Sequence, residues 1–217
     1  MWMNEGKSMS ALGTKKRDVF ADAKRNFDHM VTEHEMTILR DDELYRHIRC
    51  RRPGTSLCGW DLITWPGHLV VTGDVESFHF AREADMFGFF EMCGNEHGIN
   101  PDYWGEKIQG SAKWRTHSPE LFTQLVVEHF WERRRSYEGD TAALWRAIRE
   151  DVLIHAEYAV AARDALMSFQ HWDRQADTFE FSDAWEWSFL DADWHYLRSL
   201  HAIVWGIRKY RAAKAQS

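Results

Sequence analysis

The segment spanning residues 44–80 reads LYRHIRCRRPGTSLCGWDLITWPGHLVVTGDVESFHF. Its short runs of branched and aromatic residues are interrupted by turn-forming combinations at residues 53–56, 66–67 and 73–74. Proline restricts φ and glycine accepts positive φ, so both residues favour turns. The segment therefore predicts a four-stranded antiparallel meander. Its first strand begins near Leu44, and its later strands lie at residues 57–65, 68–72 and 75–81.

Strand parity divides the first of these strands into two faces, because successive side chains of a strand point in opposite directions. One face is comparatively polar and carries four candidate binding residues: Tyr45, His47, Arg49 and Arg51. The other face carries Leu44, Ile48 and Cys50, with Arg46 between them. The later strands are denser in apolar residues than strict alternation requires, which predicts helices against at least one face of the sheet.

Apolar residues at helical spacing and capping residues predict the surrounding helices. An amphipathic helix is expected at residues 15–34, and residues 35–39 are compatible with a short extended segment. Asn100, Ser118 and Asp140 are placed to begin helices, and either Asp191 or Asp193 can cap the last one. The other predicted helices lie at 84–92, 100–107, 118–135, 140–169 and within 179–210. Whether the region 140–169 is continuous or broken near residues 155–158 is left open.

These elements predict an α+β protein with a single domain at residues 15–212. Residues 1–14 and 213–217 are expected to be flexible tails. The net charge of −7 and the pI near 5.9 argue against a protein that coats nucleic acid. Phosphate contact is conceivable only at two local basic patches, residues 49–52 and 133–135, beside Trp60 and Trp131. The N-terminus lacks the apolar core of a signal peptide, so a cytoplasmic protein without a membrane partner is expected.

The cysteines Cys50, Cys58 and Cys93 are too few for a disulfide framework. If Arg52 pairs with Leu57, Cys50 faces Gly59 and Cys58 points to the other side of the sheet. A change of one residue in the loop would instead place Cys50 opposite Cys58. Reduced thiols are expected in the cytoplasm.

Carboxylate and imidazole side chains, which are common ligands of divalent metals, occur together near the start of the last helix. Asp191, Asp193 and His195 are weak candidates, with His201 nearby, but capping and ordinary hydrogen bonds explain the same residues. A second group, His29, Glu33 and His34, lacks the pattern of a zinc protease and is explained by a solvated helix face. No metal or other cofactor is therefore expected.

The sequence contains no nucleophile elbow, phosphate-binding loop or dinucleotide-binding fingerprint, and no catalytic residue is assigned. Strand parity places His47 and Cys50 on opposite faces, which argues against their cooperation. Dispersed acidic residues could still converge in the fold, although turn and strand positions explain them: Asp61, Asp74, Glu76 and Glu83. The aromatic run around Trp185 and Trp187 is typical of a core, and it becomes a candidate protein-contact surface if one face stays exposed.

Several blocks of the chain together resemble one protein family. They are YRHIRCRRPGTSLCGWDLITWPGHLVVTGD (45–74), DMFGFF (85–90), INPDYWGEKIQ (99–109), FSDAWEWSFLDADWHYL (181–197) and HAIVWGI (201–207). Over residues 42–210 the chain resembles an uncharacterised family encoded by tailed bacteriophages and prophages. The resemblance transfers no catalytic residue. It implies a role in host take-over, defence evasion or phage nucleic-acid metabolism.

Three functions follow as hypotheses. The first is a non-enzymatic phage accessory protein that binds a host protein or protein complex, such as an inhibitor of CRISPR interference, inside the host cell. The second is a metal-dependent enzyme acting on nucleic acid or nucleotides. The third is a structural or scaffold protein of the phage particle.

Overall fold

The computed structural model describes residues 19–92, 98–174 and 176–216, and the side chains of all of these except residues 176 and 177. The predicted N-terminal tail, the first residues of the predicted helix at 15–34, and Cys93 lie outside these residues. Helices and an antiparallel sheet dominate the described chain, so the α+β class is confirmed. None of the described helices is long and apolar enough to cross a membrane.

The described residues up to 112 form three helices and five strands, and the chain returns to this part with its last helix. The bounds are α1 Val19–Met30, β1 Glu35–Asp42, β2 Tyr45–Arg51, β3 Trp60–Trp65, β4 His68–Gly73, β5 Phe78–Ala81, α2 Met86–Met92 and α3 Pro101–Gly105.

The remaining described residues form shorter strands and four further helices. Their bounds are β6 Arg115–His117, α4 Pro119–Arg133, α5 Thr141–Asp151, a 3₁₀ turn Leu153–His155, α6 Ala159–Ser168, β7 Gln170–Asp173, β8 Ala176–Glu180, a second 3₁₀ turn Ala184–Glu186, β9 Leu190–Ala192 and α7 Trp194–Ala215.

The main sheet has five strands, in the order β1-β2-β3-β4-β5, and each neighbouring pair is antiparallel. The prediction of four strands is therefore wrong by one. The missed strand is β1, of which only a short extended segment was expected. Most of its side chains are exposed, so the segment lacks the regular apolar alternation that signals a strand.

The first turn of the meander is longer than predicted, because β3 begins at Trp60 rather than near Leu57. Cys50 pairs with Trp60, so neither of the two registers considered for the cysteines occurs. Cys58 lies in the turn with a φ of 58°, a left-handed conformation that is uncommon for residues other than glycine. Cys50 is buried and Cys58 is exposed, and both are free thiols.

One face of the sheet forms the core of this part of the protein. We call it the inner face, and its fully buried apolar residues include Ile48, Leu62, Leu69, Val71 and Phe80. Helix α7 crosses it so closely that a Cβ atom on Gly206 would lie 2.7 Å from Cδ1 of Leu62. A larger residue here would require either the Leu62 side chain or the helix to shift.

Other helices pack against the same side of the sheet. The Phe27 ring of α1 lies 5.9 Å from the Trp60 ring, between centroids. The Phe90 ring of α2 lies 5.2 Å from the Phe80 ring and 4.7 Å from the Trp104 ring of α3. The prediction that helices cover one face of the sheet is therefore confirmed.

Contacts between Cα atoms divide the chain into two compact units. Of the described residues, the first contains 19–92, 98–112 and 194–216, including the five-stranded sheet and α7. The second contains 113–174 and 176–193. The predicted single domain at residues 15–212 stays a prediction, although α7 continues to Ala215, three residues past the predicted domain end.

The second unit has its own apolar core, and its helices α4 and α5 begin where the capping residues predict. Ser118 accepts a hydrogen bond from the Leu121 amide at the start of α4, and Asp140 accepts from the Ala142 and Ala143 amides at the start of α5. The predicted helical region 140–169 is interrupted at the 3₁₀ turn Leu153–His155. A break near residues 155–158 was one of the two alternatives left open by the sequence.

One stripe of α4 is buried against the core of the second unit. It consists of Phe122, Val126 and Phe130, which are spaced four residues apart. Leu125 is only partly buried against the core. The large aromatic side chains occupy the stripe because they bury more apolar area than the leucines beside them.

Candidate functional site

The face of the sheet opposite the inner face carries polar and aromatic side chains. We call it the open face, and its residues on β2 to β5 are half-buried or exposed in the whole chain. They are Tyr45, His47, Arg49, Arg51, Asp61, Ile63, Trp65, His68, Val70, Thr72 and His79. The strand parity predicted for the first four is confirmed, since Arg46, Ile48 and Cys50 are all buried on the inner face.

Arg49, Asp61 and His47 form an ionic cluster in the centre of the open face. Arg49 lies directly opposite Asp61 in the pairing of β2 with β3. Its Nε donates to Oδ1 of Asp61 at 2.9 Å, and its Nη2 donates to Oδ2 at 2.8 Å. Nε2 of His47 lies 2.8 Å from the same Oδ2. This two-point contact fixes both side chains on the strand surface.

The cluster shifts the ionisation of its charged members. Burial alone would raise the pKa of Asp61, but the hydrogen bonds from Arg49 and His47 outweigh it, and the pKa of this carboxyl lies below its usual value. The hydrogen bond to Asp61 raises the pKa of Arg49. Arg49 and Asp61 therefore remain charged over the whole physiological range.

Substitution of Asp61 by Asn should cost stability in a pH-dependent way. At neutral pH we expect Asp61→Asn to lower the free energy of unfolding by about 1–2 kcal/mol, because it removes the charge and one of the two acceptor oxygens that Arg49 and His47 contact on a partly exposed surface. The folded pKa of Asp61 is lowered, so this stabilisation is present above the ordinary value of 3.8 and is lost as pH falls through the folded pKa. Urea unfolding from pH 7 to pH 2.5 measures it.

In that experiment the difference between the wild-type protein and Asp61→Asn should shrink below about pH 4. Asp164→Asn, a change at an exposed position of α6, serves as the control and should show no such dependence. A difference that stays constant down to pH 2.5 would contradict the pairing.

A second cluster of the open face consists of Trp65, His68 and His79. Trp65 and His68 are directly paired across the Pro66-Gly67 turn, and their rings stack with centroids 5.0 Å apart. Nδ1 of His68 lies 3.0 Å from Nε2 of His79 on the next strand. Burial lowers the pKa of His79, and the neighbouring His68 lowers it further. His79 therefore stays neutral at physiological pH.

Tyr45 and Arg51 lie at the two ends of β2. Tyr45 is 47% exposed, and the guanidinium of Arg40 lies 5.4 Å from the centre of its ring. Arg51 is also exposed. Aromatic rings and arginines are the residue types that contribute most to binding at protein interfaces. The open face thus has exposed side chains of this kind at its ends and a fixed ionic cluster between them.

In both basic patches predicted as phosphate contacts, arginine side chains are already in contact with neighbouring side chains. In the first patch, Arg49 is held by Asp61, and Arg52 forms an ion pair of 2.6 Å with Glu33. Trp60 is 2% exposed and belongs to the inner face, so it cannot stack on a base beside this patch. In the second patch the guanidinium of Arg134 lies 3.5 Å from the centre of the Trp131 ring.

The two candidate tryptophans of the second unit differ in their surroundings. Trp185 is 65% exposed. Trp187 is partly buried against the core, with its ring centroid 5.1 Å from that of His129 and 6.0 Å from that of Phe181. Trp185 therefore presents most of its surface to solvent, whereas Trp187 belongs mainly to the core.

The structure does not assemble the metal candidates. Within the described ranges no three His, Cys, Asp or Glu side chains are grouped so that they could hold a metal ion. Asp191, Asp193 and His195 are thus not gathered into a site, and Oδ1 of Asp191 accepts from the Ala192 amide.

The second metal group and the dispersed acidic residues are also separated. His34 is buried, with Nε2 at 3.1 Å from the Cys58 carbonyl oxygen, whereas Glu33 pairs with Arg52. Asp61 is engaged on the open face. Glu83 lies 3.7 Å from Arg82 in an exposed ion pair. These residues carry no shared chemistry.

Sequence reasoning missed Trp65, His68 and His79 as members of the candidate site. Strand parity could have placed Trp65 and His68 together, because the residues that flank a two-residue turn face each other on one side of a hairpin. His79 could not be added in the same way, since its position depends on the register of β5 against β4. That register follows a loop in which Glu76 has a φ of 75°.

Comparisons of the chain with models of protein families, with curated proteins and with solved structures find no match.

Proposed function

We propose that the chain is a non-enzymatic accessory protein of a phage or prophage that binds a host protein or protein complex through its open face. Such binding would inhibit a host defence complex, such as one that carries out CRISPR interference. The phage origin rests on the sequence resemblance, and the binding mode rests on the sheet.

The observation that carries the proposal is the contrast between the two faces of one sheet. Helices α1, α2 and α7 pack on the inner face, whereas the open face keeps Tyr45, Trp65 and Arg51 at least partly accessible. A sheet surface holds such side chains on a rigid backbone, so little conformational entropy is lost when a partner binds. Rigid aromatic and arginine side chains are typical anchors of protein interfaces.

The ionic cluster supports binding in a second way. Because Arg49, Asp61 and His47 already satisfy one another, a partner can cover them without leaving a buried charge unpaired. Their fixed arrangement favours a partner of complementary charge and disfavours others. The cluster thus contributes specificity, while the exposed rings contribute affinity.

Affinity capture from a bacterial host lysate tests the proposal. The wild-type chain should retain a host protein in stoichiometric amount, and a Tyr45→Ala, Arg51→Ala double variant should retain much less of it. Tyr158→Ala is the matched control, because Tyr158 is an exposed tyrosine of the second unit. Expression of the chain should also reduce CRISPR interference against a targeted phage, and the double variant should lose this effect.

Equal capture by the wild-type protein and the double variant would contradict binding through the open face. Loss of capture in Tyr158→Ala alone would move the interface to the second unit. If capture depends on the open face but interference is unaffected, the binding mode stands and the defence role fails.

A further inference from the structure

The histidine pair of the open face has a geometry that a metal ion can use. Two nitrogen ligands of one tetrahedral Zn²⁺, each about 2.0–2.1 Å from the metal, lie about 3.3 Å apart. The facing nitrogens, Nδ1 of His68 and Nε2 of His79, are 3.0 Å apart. Zn²⁺ would lie to one side of the line that joins the two nitrogens, so both rings would turn out of their mutual hydrogen bond and separate by a few tenths of an ångström to direct both nitrogens at one ion.

We propose that His68 and His79 form a two-histidine binding site for Zn²⁺ on the open face, with water in the remaining coordination positions. Imidazole nitrogen is a preferred ligand of zinc and related divalent metals. Both side chains are half-buried rather than enclosed, so solvent and a metal ion can reach them. The site requires no host partner and is independent of the binding function proposed above.

The surroundings hold the two histidines close together on neighbouring strands. The indole of Trp65 stacks on His68 and also lies 5.4 Å from the His79 ring, between centroids. The backbone around His79 is fixed on both sides, because Val70 pairs with it from β4 and the Gln109 amide donates to its carbonyl oxygen at 2.7 Å. Because the strands fix the backbone positions, only the ring torsions need to change when a metal ion binds, and little backbone entropy is lost.

The tautomers of the pair can also adapt to a metal ion. In the hydrogen bond between the facing nitrogens, one nitrogen carries the proton and the other accepts. When that proton moves through solvent to the remote nitrogen of its own ring, both facing nitrogens are free to coordinate.

Calorimetric titration of the full chain with ZnCl₂ at pH 7.5 tests the site. The titration is done in a Cys58→Ser background, because the exposed thiol of Cys58 is a competing ligand. We expect saturable binding that weakens about tenfold or more in His68→Ala and in His79→Ala. His29→Ala, which removes an exposed histidine of α1, should bind as the background does.

Histidine side-chain NMR of the same protein gives a readout that does not depend on the variants folding. Zinc should shift the ¹⁵N signals of His68 Nδ1 and His79 Nε2 together, with saturation at the concentration found by calorimetry. The inference is overturned if these signals do not move, if no saturable binding occurs, or if both folded alanine variants bind zinc as the background does.

Discussion

Replacement of Leu62 by alanine is expected to lower the free energy of unfolding by about 2–5 kcal/mol. Leu62 is fully buried at the centre of the inner face, opposite Ile48 on one side and Val71 on the other. Its Cδ1 lies where α7 comes closest to the sheet, at Gly206. Truncation would leave a cavity between sheet and helix that neither rigid element can close. Urea unfolding followed by circular dichroism measures the loss.

Ile63→Ala is the matched control for this change. Ile63 is the next residue of β3, has the same number of carbon atoms and points to the open face, where it is only partly buried. Its truncation should therefore cost clearly less than that of Leu62, since less apolar area is removed from a packed environment. Equal losses at the two positions would mean that the open face is as tightly covered as the inner face.

Gly73→Ala is expected to destabilise the protein by about 2 kcal/mol or more. Gly73 ends β4 with a φ of 124°, which L-residues rarely adopt. A Cβ atom there would lie 2.5 Å from the Gly59 carbonyl oxygen and 2.8 Å from the Trp60 Cα atom. Both contacts are with backbone atoms, so the clash cannot be relieved by the movement of a side chain. The substitution would disturb the pairing of β3 with β4 at its end.

Gly67→Ala separates the two causes of that loss. Gly67 has a φ of 85°, but a Cβ atom there would meet nothing within 4 Å. It should therefore cost only the backbone strain, about 1–2 kcal/mol. Thermal unfolding of both variants gives the comparison. A Gly73 variant no less stable than the Gly67 variant would contradict the close approach of the two strands.

The sequence predicts those parts of the fold that local chemistry determines. The Pro66-Gly67 turn pairs Trp65 with His68, and Asn100, Ser118 and Asp140 each accept a hydrogen bond from the first turn of a helix. These features depend on a few neighbouring residues. They are therefore readable without knowledge of the rest of the chain.

Features that depend on distant residues were missed. Strand β1 is recognisable by its pairing with β2 rather than by its own pattern, and the first turn places Cys58 at a positive φ that its residue type does not signal. Parity correctly assigned Tyr45, His47, Arg49 and Arg51 to one face. It could not predict that Arg49 would meet Asp61, because that contact requires the register of β2 against β3.

The central claim is that a host protein docks on the open face, and site-specific photo-crosslinking tests it most directly. A benzoyl-phenylalanine replaces Tyr45 in one protein and Tyr158 in another, because both tyrosines are exposed, by 47% and 75%. After irradiation in the bacterial host, the protein labelled at position 45 should form a covalent adduct with one host protein, and the protein labelled at position 158 should not. An adduct formed only from position 158, or from neither position, would contradict the claim.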